Sequence, residues 1–576
     1  MILNTILKEM DAIIHRLQYE LSLNLRKFMI SLKLFSHNKV DVLLVNPSSV
    51  CDWDKEEPTG LLFLAANLKK FDFQVKILDL KIQKLANNSI KKIIKALHPR
   101  IIGISAITKQ ALSAYSLGRY IKSNFPQTTL VYGGIHPSLF PSEAIEKGGA
   151  DIVLIGEGEQ ALVDIAEEKN LEDIPGIVYI VWDKIKSNKK NNFVNLDSLP
   201  FPDYTSININ NYETNIHFIK YHTKKAVNTI PSRGCYNNCA YCSSPKIYNR
   251  TLRFRSALNI VEEMRMLEKK FNILTIHFHD DDFLFDYQII VDLCHYIKKT
   301  KLRIKWICLT SISTLVKNYN LLPLIKKAGC IGLEVGIENA DKYILKQLNK
   351  RVDTKGIYKV NRLIRKNNLR VIYLHMSFTP GENIDTPYKN AKLYYELRIH
   401  KKIKKIPILK AINPLNYKVI FGDLGLHGHF FTPYPGTDIF KNIHELGIVT
   451  TNSYNDYFEG RLNFIPYSFL LDTPCVCKHF DRENLKKYIK EYKLNIIHYI
   501  NCPFYITYDI VYNKFKSLEE YISFLCELYF SIDSQKKVEQ YITEMEIQKN
   551  IKKDVIVTGF AMLSILGLIK SKFPRD

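Results

Sequence analysis

Three cysteines lie within eight residues near the middle of the chain, with the spacing C-x3-C-x2-C. They are Cys235, Cys239 and Cys242. Three thiolates on one loop can bind three irons of a four-iron, four-sulfur (4Fe-4S) cluster and leave the fourth iron open to an exogenous ligand. A structural zinc ion would need a fourth nearby Cys or His, and none follows within thirty residues, the next candidates being His277 and His279. The spacing therefore favours a cluster over zinc.

Short β-branched runs alternate with helix-like segments before this cysteine loop. The predicted strands are Val40–Val45, Val75–Leu78, Ile101–Ser105, Thr129–Tyr132 and Asp151–Ile155. Such alternation predicts an α/β fold with a doubly wound, Rossmann-like parallel sheet, which binds ligands at the carboxyl ends of its strands. The loops expected there are small or rich in glycine and suit a large, flat ligand approached closely by backbone: Asn46–Ser49, Ser105–Ala106, Gly133–Pro137 and Gly156–Glu159.

A second run of strands and helices contains the cysteine loop near its start. Its predicted strands include Ile273–Phe278, Ile304–Leu309, Gly332–Ile337 and Val371–Ser377. This alternation predicts a complete or partial TIM-type barrel, whose chemistry would lie at the carboxyl ends of the strands. The predicted organisation is an amphipathic helix (1–37), the Rossmann-like domain (38–180), a linker (181–225), the barrel (226–440) and a helical C-terminal domain (441–576).

Composition and charge narrow the class of protein. The 576 residues, 46% of them hydrophobic, exceed one core and exclude a disordered or collagen-like chain. Eleven irregularly spaced cysteines do not form a disulfide scaffold, so a cytoplasmic location is expected. The net charge of +23 is concentrated in residues 341–410, which hold 18 Lys/Arg against five Asp/Glu. No nucleic-acid binding is expected of this segment.

The cysteine loop, with Tyr241 directly before its third cysteine, resembles that of the radical S-adenosylmethionine (radical SAM) superfamily. Further stretches resemble, in order, the subgroup that carries an N-terminal cobalamin-binding domain: Gly133–Pro137, Gly156–Glu159, Asp280–Phe283, Gly336–Glu338, Thr379–Glu382 and Thr432–Thr437. One departure is Ser311, which stands about where the subgroup often has an arginine. The resemblance covers some 400 residues and implies three cofactors: a 4Fe-4S cluster, S-adenosylmethionine and cobalamin.

The resemblance also implies roles for individual residues. The three cysteines would ligate the cluster, Tyr241 would lie against the adenine of S-adenosylmethionine, and Glu338 would accept hydrogen bonds from its ribose. Asp280 and Asp281 would hold its ammonium group or the substrate, with a helix cap or a solvated turn as the equal alternative. The expected cobalamin contacts are Ser105, Gly133, Gly134, His136, Gly156 and Glu157, with no lower histidine because residues 40–170 lack an Asp-x-His-x-x-Gly stretch. No residue is assigned a catalytic role.

The function implied first is a cobalamin-dependent C-methyltransferase acting on an unactivated carbon of a small-molecule or lipid substrate. The alternatives are a radical cyclase or rearrangement enzyme without net methyl transfer, a methylthiotransferase, and a non-catalytic sensor. Methylthiotransferases bind a further cluster through three N-terminal cysteines, whereas residues 1–225 contain only Cys51. An acidic flavodoxin or ferredoxin docking on the basic segment is the expected reductant. The apolar run Val555–Ile569 is too short to span a bilayer, and peripheral membrane contact is the alternative to burial.

Overall fold

The computed structural model describes residues 39–48, 55–189, 193–214, 225–352, 354–377, 379, 389–390, 393, 397, 424–430 and 434–441. The predicted N-terminal helix and, apart from Lys441, the predicted C-terminal domain lie outside these residues. The chain divides into two compact units, Met1–Glu213 and Thr214–Asp576. Within the described ranges no helix is both long and apolar enough to cross a membrane.

The first unit is built on a seven-stranded sheet in the order β2-β1-β3-β4-β5-β6-β7, of which the first five strands are parallel and the last two antiparallel. The strands are β1 Val42–Asn46, β2 Val75–Asp79, β3 Ile101–Ser105, β4 Thr129–Gly133, β5 Ile152–Leu154, β6 Ile177–Val181 and β7 Lys184–Ser187. The helices are α1 Thr59–Lys70, α2 Leu80–Gln83, α3 Asn87–Leu97, α4 Ala111–Asn124, α5 Ile135–Leu139, α6 Pro141–Gly148 and α7 Glu159–Ala166. The five parallel strands are β-branched and almost fully buried, as expected for a sheet covered by helices on both faces.

A buried polar chain joins the carboxyl ends of the central strands. Gln110 Nε2 donates to Asn46 Oδ1 at 2.9 Å, Asn46 Nδ2 donates to Asp79 Oδ1 at 3.0 Å, and Tyr212 Oη donates to Asp79 Oδ2 at 3.0 Å. Burial raises the pKa of Asp79, and the bonds from Asn46 and Tyr212 oppose that rise. The chain therefore fixes the loops at the point where strand order reverses, between β1 and β3, which is where doubly wound sheets bind ligands.

The segment predicted as a linker over 181–225 differs from the structure. β6 and β7 form a hairpin closed by Trp182 and Asp183, whose φ values of +48° and +58° are those of a two-residue turn that normally contains Asn or Gly. Beyond it, Asp203 accepts a hydrogen bond from Lys69, and its backbone N–H donates to Leu62 O at 3.1 Å. Residues 184–187 thus extend the first sheet, and residues around 203 pack on α1.

The second unit holds a six-stranded parallel sheet in the order β15-β14-β13-β12-β11-β8, with a small antiparallel pair formed by β9 and β10. The strands are β8 Ala226–Thr229, β9 Ser232–Arg233, β10 Arg253–Phe254, β11 Thr275–Phe278, β12 Lys305–Ser311, β13 Cys330–Glu338, β14 Arg370–Ser377 and β15 Leu424–Phe430. The helices are α8 Ser244–Tyr248, α9 Ala257–Phe271, α10 Tyr287–Thr300, α11 Ile312–Lys317, α12 Leu321–Lys327, α13 Lys342–Gln347, α14 Thr354–Lys366 and α15 Asp438–Lys441.

Each strand of this sheet pairs in parallel with the next along the chain, and helices lie between them, which is the arrangement of a (β/α) barrel. Among the described residues β15 does not pair with β8, so the sheet corresponds to the partial form of the predicted barrel. The predicted fold class, an α/β chain with a Rossmann-like sheet followed by a TIM-type sheet, is confirmed.

Candidate functional site

The cysteine loop connects β9 to α8, just beyond the carboxyl end of the first barrel strand. It starts at Gly234, whose φ is +88°. A Cβ at this position would lie 2.0 Å from the carbonyl oxygen of Thr251, a distance that no side chain tolerates. β9 and β10 pair beside this point and close the base of the loop. Glycine is therefore required where the chain turns into the three cysteines.

The three cysteines are half-buried free thiols. Burial raises the pKa of Cys235 to about 11 and that of Cys242 to about 12, and the Asp281 carboxylate adds to both shifts. No three Cys, His, Asp or Glu side chains among the described residues are arranged to bind a single metal ion. A 4Fe-4S cluster instead takes one thiolate per iron, and three such donors on one loop fit that requirement.

Backbone hydrogen bonds hold the cysteine loop against two distant segments. The Ala240 N–H donates to Leu348 O at 2.9 Å, and the Ile439 N–H donates to Ala240 O at 2.9 Å. The Asn349 side chain donates to Asn238 O at 2.6 Å. The loop is therefore bound to the end of α13 and to α15, which follows the Thr432–Thr437 stretch. The sequence analysis did not predict either contact.

The three consecutive aspartates have three different partners. Asp280 Oδ2 accepts a hydrogen bond from Ser232 on β9, and its buried Oδ1 has no hydrogen-bond partner among the described residues. Asp281 Oδ2 accepts from Ser244 Oγ at 2.6 Å, two residues after the third cysteine. Burial raises the pKa of both carboxyls. Asp280 and Asp281 thus each hold one end of the cysteine loop, and their predicted contact with S-adenosylmethionine or the substrate stays a prediction.

Asp282, the third aspartate, supports the start of α11. A role of this kind was the alternative that the sequence left open for Asp280 and Asp281. It is 1% exposed and accepts hydrogen bonds from Thr310 Oγ1 at 2.8 Å, the Ser311 N–H at 3.0 Å and Thr314 Oγ1 at 2.7 Å. Ser311 itself is the N-cap of α11, accepting from the Thr314 N–H at 3.1 Å. The position where the subgroup often has arginine is thus a helix cap in this chain.

Glu338 ends β13 in a strained conformation next to the cysteine loop. Its φ is +66°, and the pairing of β13 with β14 shifts register between Gly336 and Glu338. Bulges of this kind re-aim side chains near active sites. Glu338 Oε1 lies 2.9 Å from Lys350 Nζ, which is also 3.4 Å from the Tyr241 hydroxyl. The predicted ribose ligand therefore forms an ion pair that the sequence analysis did not identify.

Tyr241 packs against a small apolar cluster formed by Ile344, Leu348 and Ile439, together with Met376. Burial raises the pKa of Tyr241 well above its usual value, and the nearby Glu338 carboxylate adds to the rise while Lys350 opposes it. The phenol is therefore neutral. Packing against residues of α13 and α15 thus fixes Tyr241, which directly precedes the third cysteine.

A second polar pair lies inside the barrel sheet and was not predicted as a site. His277 on β11 and Glu334 on β13 are 5% and 6% exposed, and His277 Nε2 lies 3.6 Å from Glu334 Oε2. His279 stacks on His277 with ring centroids 5.1 Å apart. The alternation of the strand predicts which residues share a face, but not that these two side chains meet across β12.

In the first unit, the loops after β3 and β4 approach each other closely. Gly134 has φ +92°, and a Cβ there would lie 2.7 Å from the carbonyl oxygen of Ala106. The Ala106 N–H donates to Gly133 O at 3.0 Å, and the Ser105 hydroxyl would lie 3.0 Å from the same Cβ. Ser105, Gly133 and Gly134 thus form one continuous surface of backbone and small side chains.

The loop after β5 adds to this edge of the sheet. Gly156 has φ +81°, and a Cβ built on it would meet no atom within 4 Å, so the space above its backbone is open. Its N–H donates to Ser138 Oγ at 2.9 Å, and Ser138 Oγ donates to Gly134 O at 2.7 Å. Glu157 follows directly. The carboxyl ends of three strands thus carry closely packed glycine-rich loops, with open space at Gly156 where the flat corrin of cobalamin could approach the backbone.

His136, one of the predicted cobalamin contacts, has an enclosed side chain. Its side chain is fully buried and packs between Tyr115 and Phe140, with Nδ1 3.4 Å from the Thr108 hydroxyl. Burial lowers the pKa of His136 to about 4, so the ring is neutral. A side chain enclosed in this way stabilises the turn after β4 and does not face the open surface. Its backbone N–H donates to Ala106 O at 3.1 Å.

Comparisons with known proteins agree with both sites. The model of the radical SAM superfamily matches residues 229–393, and that of the B12 binding domain matches residues 54–166. An uncharacterised methyltransferase of Pyrococcus horikoshii is 25% identical over 441 residues, which cover 75% of this chain and 86% of that protein. The anaerobic magnesium-protoporphyrin IX monomethyl ester cyclase of Rubrivivax gelatinosus is 24% identical over 430 residues, covering 72% and 76%.

A solved structure has a similar fold. The cobalamin-dependent S-adenosylmethionine radical enzyme OxsB, with aqua-cobalamin and S-adenosylmethionine bound, superposes with a TM-score of 0.61 at 17% identity, covering 92% of this chain and 80% of OxsB. The cysteine loop lies on the barrel sheet and the glycine-rich loops lie on the preceding sheet, each within the matched residues. The chain is therefore a radical SAM enzyme that carries a B12-binding domain, and its cofactors are a 4Fe-4S cluster, S-adenosylmethionine and cobalamin.

Proposed function

We propose that the protein is a C-methyltransferase that acts on an unactivated carbon of a small-molecule or lipid substrate. The observation that carries the proposal is the presence, in one chain, of the cysteine loop and of an open glycine-rich surface at the strand ends of a B12-binding domain. When bound, the cluster and S-adenosylmethionine supply a 5′-deoxyadenosyl radical that removes a substrate hydrogen atom, and cobalamin supplies the methyl group. The protein provides binding, orientation and exclusion of water.

The described residues support the following division of roles. Cys235, Cys239 and Cys242 hold the cluster. Glu338 presents a carboxylate oxygen to the ribose of S-adenosylmethionine, and Asp280 presents its unbonded Oδ1 to the ammonium group or to the substrate. Asp281 positions the residues that follow the third cysteine through Ser244. In the first unit, Gly133, Gly134 and Gly156 allow the corrin to approach the backbone, with Ser105 and Glu157 at the same edge.

The proposal can be tested without knowing the substrate. Purified, reconstituted enzyme is incubated anaerobically with dithionite, hydroxocobalamin and S-adenosylmethionine carrying a labelled methyl group. We expect S-adenosylhomocysteine to form only when hydroxocobalamin is present, with the label recovered on the corrin. Adding a small-molecule extract of the source cells should then transfer the label to a new product and release 5′-deoxyadenosine.

The outcome that would contradict methyl transfer is equally specific. Release of 5′-deoxyadenosine with the extract, without label on the corrin or in any product, would favour a radical cyclisation or rearrangement. The similarity to the cyclase of Rubrivivax gelatinosus is the observation that keeps this second function in view. A methylthiotransferase is disfavoured, because residues 1–225 contain one cysteine and not the three that a further cluster needs.

We also propose an acidic flavodoxin or ferredoxin as the reductant, supported by the excess of basic residues over 341–410. Its densest part, Lys401, Lys402, Lys404 and Lys405, lies outside the described residues. Replacing all four by Glu should slow turnover with flavodoxin by about tenfold or more, because charge complementarity acts mainly on association rate, and should leave dithionite-driven turnover unchanged. Equal rates of the variant and the wild type with flavodoxin would exclude this docking segment.

Nucleic-acid binding is not expected, and peripheral membrane contact stays a prediction.

A further inference from the structure

Lys350 is a partly buried cation beside the cysteine loop, and the family resemblance does not supply a role for it. Its side chain is 14% exposed, and its Nζ lies 2.9 Å from Glu338 Oε1 and 3.4 Å from the Tyr241 hydroxyl. Gly336 lies directly below the pair: a Cβ there would approach Glu338 Oε1 to 2.5 Å and Lys350 Nζ to 3.0 Å. The two charged groups thus fold together over Gly336, where a larger side chain would displace them.

The backbone around Lys350 is tied to the cysteine loop itself. The Lys350 N–H donates to Leu345 O at 2.8 Å after Asn349 turns the chain with a φ of +51°. The Asn349 side chain donates to Asn238 O at 2.6 Å, between the first and second cysteines. Because both ends of this turn are fixed, the ammonium group is held at one place relative to the thiols.

The charged groups of the pair lie beside the second and third cysteines of the loop. Lys350 Nζ lies 3.4 Å from the hydroxyl of Tyr241, which stands between Cys239 and Cys242, and Asn349 binds the backbone of Asn238, next to Cys239. The Glu338 carboxylate lies 2.9 Å from the Lys350 ammonium group. Water screens such charges little when they are buried.

We propose that the charge of Lys350 raises, and that of Glu338 lowers, the reduction potential of the cluster held by Cys235, Cys239 and Cys242. One electron from a low-potential reductant such as dithionite adds one negative charge to the cluster, without bond breaking or proton transfer. The cation of Lys350 stabilises that added charge and the anion of Glu338 destabilises it, because net charge near the sulfurs is one of the protein's means of tuning such potentials. The inference depends on the cluster but not on methyl transfer.

The test uses the reconstituted full chain without S-adenosylmethionine, titrated with dithionite at poised potentials and followed by electron paramagnetic resonance. Lys350→Met should lower the midpoint potential and Glu338→Gln should raise it. We expect each variant to change the ratio of reduced to oxidised cluster at a fixed potential by about tenfold, which corresponds to about 59 mV for one electron. The double variant should return close to the wild-type potential.

Controls separate electrostatics from loss of structure. Lys350→Arg keeps the charge and should keep the potential. Lys246, which pairs with Asp438 at 2.6 Å on an exposed surface, is the matched control, and Lys246→Met should leave the potential unchanged. If the pair had only a structural role, both single variants would shift the midpoint potential in the same direction. That result would overturn the proposal, and so would an unchanged midpoint potential in both variants. If Lys350→Met fails to assemble a cluster, the upward shift in Glu338→Gln alone decides it. If the variants shift the potential as expected but the enzyme transfers no labelled methyl group, this inference stands and the proposed methyl transfer fails.

Discussion

Replacement of Cys235, Cys239 or Cys242 by alanine is expected to abolish the cluster and, with it, all cleavage of S-adenosylmethionine. The three thiols lie on one loop that is closed by β9 and β10 and bonded to α13 and α15. The other cysteines in the described part of the chain, Cys294, Cys308 and Cys330, are buried outside this loop and cannot replace a missing ligand. A protein with two thiolates can anchor only two irons of a cluster that needs three protein ligands. Iron and acid-labile sulfide should fall from about four of each per chain to near zero.

The matched control is Cys294→Ala, because Cys294 is buried in the same unit but lies on α10 and not on the loop. This variant should keep its iron. Cobalamin content provides a second control: the B12-binding domain has its own sheet and core in the first compact unit, so the three loop variants should still bind hydroxocobalamin. A loop variant that retains four irons would show that the cysteines are not the ligands, whereas loss of both cofactors would indicate unfolding.

Local signals in the sequence were sufficient to predict most of the strands. Ile101–Ser105 is β3 with the predicted bounds, and the predicted strands Val75–Leu78 and Val371–Ser377 lie within β2 and β14. These elements are β-branched runs or amphipathic segments bounded by turn residues, and such patterns depend on near neighbours in the chain. The hairpin of β6 and β7 was missed because its turn places Trp182 and Asp183 in a left-handed conformation. A sequence predicts such a turn when it contains Asn-Gly or a similar pair, and Trp-Asp is not one.

Site residues could be predicted only where they belong to a closely spaced motif or to a stretch that resembles a known family. The cysteine spacing and the approximate place of Glu338 follow from the sequence. The partner of Glu338 does not, because Lys350 reaches it through a turn at the end of α13 and a bond to the cysteine loop. The burial of His136 likewise depends on Tyr115 and Phe140 packing around it. Contacts of this kind arise from tertiary packing between distant segments, and the sequence of one segment does not reveal them.

The second large effect is expected at Asp282, where substitution should destabilise the fold of the barrel domain and not merely impair its chemistry. Its carboxylate accepts three hydrogen bonds that join the end of β11 to the end of β12 and to the first turn of α11. Asp282→Ala would leave two buried hydroxyls and a backbone N–H without their acceptor. The expected loss is about 3–5 kcal/mol of the free energy of unfolding. Asp282→Asn retains one acceptor oxygen and should lose about 1–2 kcal/mol.

Trp306 makes this loss measurable for the barrel domain alone. The chain has three tryptophans, and Trp306 is fully buried beside Phe278 and Phe283, the residue after Asp282. In a chain with Trp53→Phe and Trp182→Phe, its fluorescence reports unfolding of this domain in urea, and the midpoint should fall by about 2 M for Asp282→Ala.

The matched control for Asp282 is another aspartate that caps a helix nearby. Asp286 accepts a single hydrogen bond, from the Ile289 N–H at 3.0 Å, and Asp286→Ala should cost about 1 kcal/mol. If Asp282→Ala costs no more than this control, the three bonds do not support the strand ends. If it costs the expected amount, loss of activity at Asp282 reports loss of fold. Asp280 and Asp281 are then the members of the triplet whose substitution can test a direct role in binding S-adenosylmethionine.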